Sequence, residues 1–370
     1  MTKKKIIIVN FMSDFSGHGT IRNQWPFSTL NSIYGSSNEL LSINFYNFEI
    51  SRNILQNAKA FYFQRQMSPE SLKFIRYLKT LQPQYGFKMI WDIDDMLWGN
   101  NELQGGTKYK GLPSYNSSWR NITTDIKEDT ISIMNLMDEV SVSTEFLGKF
   151  INSNLKVKTK TTVIPNTVLE SYWGPLEFKP LESNIKVPTV LYTGSPSHYN
   201  NKDMLLGDWD NKWKDWVIQS VKNKSINFVV IGGLPWFFES IKDQIEIHDW
   251  VRIFKLHLLI KKIKPDFCIN PLVPNDFNYA KSDLKLVEST AANMICAGTV
   301  FNNKPSPFDD CVIKIKQDAT VKDIDNKIKE YCNFNKFNSG INKQQRWFKL
   351  NSRFTEDKGN IKRLVRLLTK

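Results

Sequence analysis

Short apolar runs rich in β-branched and aromatic residues alternate along this chain with longer stretches of helical amphipathicity, and few folds accommodate that rhythm. In the first half the runs are KKIIIVNF, AKAFYFQ, FKMIWDI, DEVSVST and KTTVIPN; in the second they are PTVLYTG, INFVVIGG, IEIHDWV, PDFCINPL and MICAGTVF. Near-continuous apolar strands separated by helix-length segments predict parallel sheets covered by helices on both faces, an α/β class. Between the two sets, TVLESYWGPLEFKPLESNIKVP at 167–188 carries three prolines and one glycine with no sustained period, which reads as an interdomain linker. Two nucleotide-binding-type halves are therefore expected, over 1–170 and 188–342, with 171–187 joining them. The closing 343–370 is read as one helical segment with Ile361, Leu364, Val365 and Leu368 on a common face.

A chain of 370 residues is long enough for two such cores. The opening MTKKKIIIVNF imitates a secretory signal, but its apolar run is too short and SDFSGHGT follows at once, so it reads as a buried first strand. Cys268, Cys296, Cys311 and Cys332 stand far apart without a metal-type spacing; a zinc site and a disulfide framework are not expected, and the reducing cytoplasm is the expected compartment. Lys plus Arg outnumber Asp plus Glu by 50 to 37, a net charge of +13 that favours a nucleic acid, an anionic membrane surface or a phosphorylated substrate. No strongly hydrophobic surface helix is evident, so a peripheral membrane contact stays the lesser of these expectations.

The segment NDFNYAKSDLKLVEST at 275–290 follows a strand that ends at Pro271. With Asn278 as N-cap, a helix from about Tyr279 would place Lys281, Lys285, Glu288 and Ala292 in a stripe about 60° wide beside an apolar face. Helix N-termini attract anions, and ligands of open α/β sheets bind beyond the strands' carboxyl ends. Lys281, Ser282 and Lys285 would hold a diphosphate there, and Glu288, one turn on, suits the two hydroxyls of a ribose. An ordinary amphipathic helix with an i,i+3 ion pair has the same spacing.

SDLKLVESTAANMICAGT resembles the donor-site helix of GT-B glycosyltransferases, in which a glutamate at the position of Glu288 holds the ribose. DEVSVSTEFLGKFI with TTVIPNTV resembles the end of their N-terminal domain, while VLYTGSPSHYNNKD and NFVVIGGLPWF resemble the first two strand-loop units of their donor domain. The resemblance implies two Rossmann-like domains facing across a cleft, and a hexosyl- or pentosyltransferase using a nucleotide sugar, with a UDP-sugar the expected donor and no obligatory metal. Many retaining members carry an acid where this chain has Ala280, so the stereochemical outcome stays open. By the same resemblance, Gly194, Ser195 and Gly233 would turn backbone N–H groups to the phosphates, with His198 and Lys202 nearby. Trp250 would lie where such enzymes hold the base, although core packing is the commoner role for such a residue. Trp236, Phe237 and Phe238 are expected to be core, and His257 receives no role.

In the N-terminal half, Gly17 and Gly19 flank His18 after the first strand, where a glycine loop approaches ligands closely and Arg22 meets a phosphate or an acceptor; a tight turn with an exposed histidine is the plainer reading. Asp92, Asp94 and Asp95 end the strand of MIWDIDDMLWG, and one of them is the expected general base; His18, expected like Arg22 where a donor phosphate or acceptor is met, is the other catalytic candidate. Helix capping and D-x-D metal binding are the competing roles.

Lys285 three positions before Glu288 also resembles the donor site of phage enzymes that glucosylate hydroxymethylcytosine in DNA, which implies a DNA acceptor in a phage-infected host cytoplasm. The mix of Lys108, Lys110, Tyr115, Trp119 and Arg120 in GGTKYKGLPSYNSSWR would then grip phosphates around a flipped base. A cell-surface glycan or lipid-linked sugar is the alternative acceptor. A non-catalytic nucleotide binder and a nucleotide-sugar epimerase are the alternatives from other classes.

Overall fold

A computed structural model describes residues 6–13, 17–35, 40–45, 50–96, 124–199 and 206–369. They fall into two compact units, one within Met1–Trp98, Ile122–Glu170 and Ser352–Lys370, the other within Ser171–Asn351.

The first unit is a six-stranded sheet of β1 (Ile6–Phe11), β2 (Leu40–Phe45), β3 (Ala58–Gln64), β4 (Lys88–Ile93), β5 (Glu139–Val142) and β6 (Thr161–Val163), ordered 2-1-3-4-5-6 and parallel throughout. The second holds β7 (Thr189–Thr193), β8 (Asn227–Ile231), β9 (Glu246–His248), β10 (Phe267–Asn270), β11 (Ile295–Val300) and β12 (Ile313–Lys316), ordered 12-11-10-7-8-9 and also parallel. All ten expected runs are strands. The two that sequence reading missed, β2 and β12, are sheet edges; β12 is a bare Ile-Lys-Ile-Lys alternation with only its isoleucines buried, too short to stand out from a helix face.

The helices follow from local signals. In Pro69–Tyr85, Ser68 accepts the Ser71 N–H, Pro69 sits in the first turn, and Gly86 ends the helix in the left-handed region at φ 69°. The expected single closing helix is two. Phe334–Leu350 packs in the second unit, the chain turns through Ser352 at φ 51°, and Lys358–Thr369 returns to the first sheet. Backbone bonds of Val168 with Arg353 and Thr355 pull the intervening residues into an extended bridge, which a helix cannot satisfy. Ile361, Leu364, Leu367 and Leu368 then close the core made by Ile8, Phe27, Leu30, Ala60, Tyr62 and Ile90. In the second unit Trp213, Trp216, Phe237 and Phe238 fill the core, as expected of the last two.

Candidate functional site

In the first unit, polar side chains gather beyond the carboxyl ends of β1, β3, β4 and β5, where the strand order reverses between β1 and β3. Residues Gly17–Gly19 form a helical turn, not a glycine loop; Gly19 has an ordinary φ of −60°, and a π-helical turn over Thr20–Gln24 follows. Arg22 on that turn is buried. Its guanidinium donates to both carboxylate oxygens of Asp92, to the carbonyl of Ile164, to Asn166 Oδ1 at 3.1 Å and to Ser141 Oγ at 3.1 Å. Burial opposes that charge, but Asp92 more than compensates and holds Arg22 above its ordinary range; the same burial and the same carboxylate push the Tyr62 hydroxyl well up. Arg22 is therefore committed to the scaffold and does not meet a phosphate. Asp92, at 0% exposure, is committed with it and is withdrawn from the set of bases.

Asp94 and Asp95 turn instead toward His18. Nδ1 of His18 lies 2.8 Å from Asp94 Oδ2, and its Nε2 lies 3.6 Å from Asp95 Oδ2. Arg65, at φ 50°, sets a guanidinium nitrogen 3.9 Å from the other Asp94 oxygen, and Ser143 Oγ donates to the Asp94 carbonyl at 2.7 Å. Burial works against ionising either partner, yet the pair prevails: His18 is raised above its ordinary value by Asp94, and Asp94 is held well below the usual carboxylate range by His18 and Arg65. A neutral His18 that donates Nδ1–H to Asp94 presents Nε2 as a lone pair, and the ring is 42% exposed. His18, Asp94 and Asp95 also have the spacing of a three-ligand cation site. They fit a dication poorly, because the Arg65 guanidinium already stands against Asp94 and Asp92 of the D-x-D faces Arg22.

The second unit reverses its strand order between β7 and β10. Beyond their carboxyl ends, Asp208 Oδ2 lies 2.7 Å from His198 Nδ1 and 2.7 Å from Lys281 Nζ, and that ammonium is 4.9 Å from the centre of the Phe277 ring. The glycines here do not point N–H groups outward. Gly194 donates to the carbonyl of Ile231, while Gly232 and Gly233 both donate to the carbonyl of His248. Their role is close approach: Gly232 has φ 116°, and a Cβ on it would sit 2.2 Å from the Gly194 carbonyl oxygen. Ser195 accepts the His198 N–H at 2.9 Å, which turns the histidine toward Asp208.

The expected continuous helix is broken. Asn275, not Asn278, caps a short turn over Asp276–Ala280; Lys281 is extended at ψ 145°, and a second helix runs over Leu284–Ala291. The run Lys-Ser-Asp at 281–283 carries side chains that compete with helical backbone bonds. Lys281 thus reaches Asp208 from the break, and Ser282 lies within it. Lys285 Nζ pairs with Glu288 Oε2 at 2.9 Å. Glu288 is only 6% exposed, which separates it from an ordinary surface pair, since burying a carboxylate beside a single lysine costs desolvation that a solvent-edge pair avoids.

Lys202, Lys108, Lys110, Tyr115, Trp119 and Arg120 lie outside the described residues. Trp250 is not core but 55% exposed, and His257 is buried against the rings of Tyr172 and Trp173. Asp208, Arg65, Ser141, Ser143 and Asn166 were not singled out by sequence. Apart from Ser141 and Ser143, which share the end of β5, each comes from a different loop or strand end, and only the order of the strands brings it to its partner.

No protein-family model and no curated protein sequence matches the chain. Solved structures do. HepE of Anabaena, determined with UDP and glucose, is 10% identical with TM-score 0.57, covering 100% of both chains. Sucrose-phosphate synthase of Thermosynechococcus elongatus is 11% identical with TM-score 0.52, covering 98% of each. The lipopolysaccharide outer core galactosyltransferase WaaB is 11% identical with TM-score 0.52, covering 97% of this chain and 98% of its own. The two parallel-sheet units of this protein have the GT-B fold of these glycosyltransferases.

Proposed function

We propose that this protein is a glycosyltransferase that moves a sugar from a nucleotide-sugar donor, a UDP-sugar, to a hydroxyl acceptor. The observation that carries the reading is the buried Glu288 paired with Lys285 on the helix that follows β10, beside Lys281 and His198 at the strand-order reversal of the second sheet. Such a set matches a nucleoside diphosphate: cations for the phosphates, and a carboxylate to accept two hydroxyl hydrogens from a ribose. The fold shared with HepE, which was solved with UDP and glucose, supports the choice of donor.

The acceptor hydroxyl must lose a proton as the new bond forms. His18 is the group best prepared to take it, with Nδ1 committed to Asp94 and Nε2 unprotonated once the ring is neutral. Asp95, near that nitrogen, would orient the hydroxyl or steady the imidazolium. In this reading no residue depends on a metal.

Mass spectrometry of reactions with UDP-sugars tests the proposal, offered in parallel with hydroxymethylated DNA, with a lipid-linked sugar and with a glycan. A product heavier by one sugar, with release of UDP, is expected on one acceptor. An altered sugar still attached to UDP would point to an epimerase, and bound but unconsumed donor in every arm would point to a nucleotide binder. The residues expected to grip DNA lie outside the described ones, so the DNA arm has no structural priority over the others.

A further inference from the structure

The helix Ile253–Ile263 on the second unit has an unusual outer face. Leu256, His257 and Ile260 point into the unit. Opposite them, the middle of the exposed arc is apolar: Phe254 is 40% exposed and Leu258 59%. At 100° per residue, Lys255 and Lys262 border that pair on one side; on the other stands Lys261, whose Nζ donates to the Tyr172 carbonyl at 3.3 Å, so Lys255 and Lys262 are the cations the face presents. A helix that merely faces water places its charges at the centre of the exposed arc; here the order is inverted. The run 251–264 holds Arg252, Lys255, Lys261, Lys262 and Lys264 with no acid, the nearest in sequence being Asp249 and Asp266. The Arg252 guanidinium lies 6.0 Å from the centre of the Phe254 ring, and Trp250 stands exposed just ahead of it.

We infer that this face docks on an anionic lipid bilayer. An apolar centre rimmed by long cationic side chains suits the headgroup boundary: Phe254 and Leu258 enter the acyl edge, and the lysine stems lie along the surface with their ammonium groups at the phosphates. Charge complementarity selects a membrane over a second copy of this chain, because two such faces would set their bordering lysines against each other. No helix among the described residues is long and apolar enough to cross a membrane, so the contact is peripheral. It is independent of sugar transfer.

Vesicle co-sedimentation of the whole chain tests the docking. Binding to mixed phosphatidylcholine–phosphatidylglycerol vesicles should exceed binding to phosphatidylcholine alone by roughly five-fold for each cation engaged, and should fall as salt rises. The variant F254S/L258S should lose about ten-fold or more in partitioning, and K255E/K262E, which keeps the apolar centre, should lose at least as much and respond less to salt. Equal binding to neutral vesicles, or parental binding by either variant, overturns the inference. So does light scattering that finds a dimer which F254S/L258S dissolves, for the face would then belong to a second copy.

Discussion

Nδ1 of His18 stands 2.8 Å from Oδ2 of Asp94, and this contact joins the turn after β1 to the end of β4, 76 residues further along the chain. The carboxylate fixes the tautomer and sets the proton affinity of the ring, so it controls the pH at which the opposite nitrogen becomes a base.

His18→Gln should lower turnover by about 100-fold or more, the scale of a lost general base, while leaving nucleotide affinity within a few-fold. Single-turnover transfer and calorimetry separate the two quantities. Parental turnover in this variant would remove His18 from the reaction.

Because His18 is raised above its ordinary value of 6.5, the base form is lost as pH falls through that raised value, and kcat/KM should show an acid limb above pH 6.5. In Asp94→Asn the larger raising charge and its hydrogen bond to the carboxylate are gone, and burial and Arg65, which lower the ring, are opposed only by the weaker pull of Asp95. Its limb should therefore move to lower pH. A limb that stays in place would assign it to another group.

Glu288→Ala should weaken donor binding by about 1.5–3 kcal/mol and should do so for nucleoside and nucleotide alike, as expected of charge-assisted hydrogen bonds to a ribose. Lys285→Ala should spare the nucleoside and penalise its diphosphate. If calorimetry finds every ligand bound as by the parent, the pair is only structural and the proposed donor site is misplaced.

Arg22→Met strands Asp92 without its cation in a dry interior and should cost the first unit about 3–5 kcal/mol. Urea unfolding followed by hydrogen exchange in β4 and β5 would read this locally, since two units need not unfold together. The double variant Arg22→Met/Asp92→Leu should regain most of the loss. If it stays as unstable as Arg22→Met, the uncompensated charge was not the cause.

Gly232→Ala should destabilise the second unit by more than about 1 kcal/mol and weaken nucleotide binding, since the new Cβ meets the Gly194 carbonyl at 2.2 Å with φ at 116°. Gly86→Ala is the control. It is also left-handed, at φ 69°, but has open space around it and should leave nucleotide affinity unchanged.

Periodicity made both sheets legible because most of the strands are long enough and apolar enough to register against their helices; the three-residue β6 and β9 were read only within longer apolar runs. The two missed strands are edges, and β12 alternates isoleucine with lysine over only four residues. Site residues divide in the same way. Lys285 and Glu288 were readable as a pair because both lie on one helix turn, whereas His18 and Asp94 each follow a strand's carboxyl end and only the order of the strands brings them together. Arg22 misled: a cation after a first strand suggests a phosphate, and only the fold reveals Asp92, Ser141 and Asn166 closing around it. Lys281 was expected on a continuous helix and instead stands in a break between two, since periodicity assumes the helix does not break.

The return of Lys358–Thr369 to the first sheet bears on the order in which the chain folds. Lys88 donates to the carbonyl of Leu367 at 2.7 Å, a contact that spans 279 residues. During synthesis the residues of the second unit emerge before that helix does, so the first sheet waits with Ile8, Ala60 and Ile90 uncovered while its neighbour forms. Closure of so long a loop becomes less unfavourable once the intervening residues are compact. Pulse-labelled hydrogen exchange should therefore find amides of β8 and β10 protected before those of β3 and β4. The reverse order would mean that the first sheet is stable without its last helix.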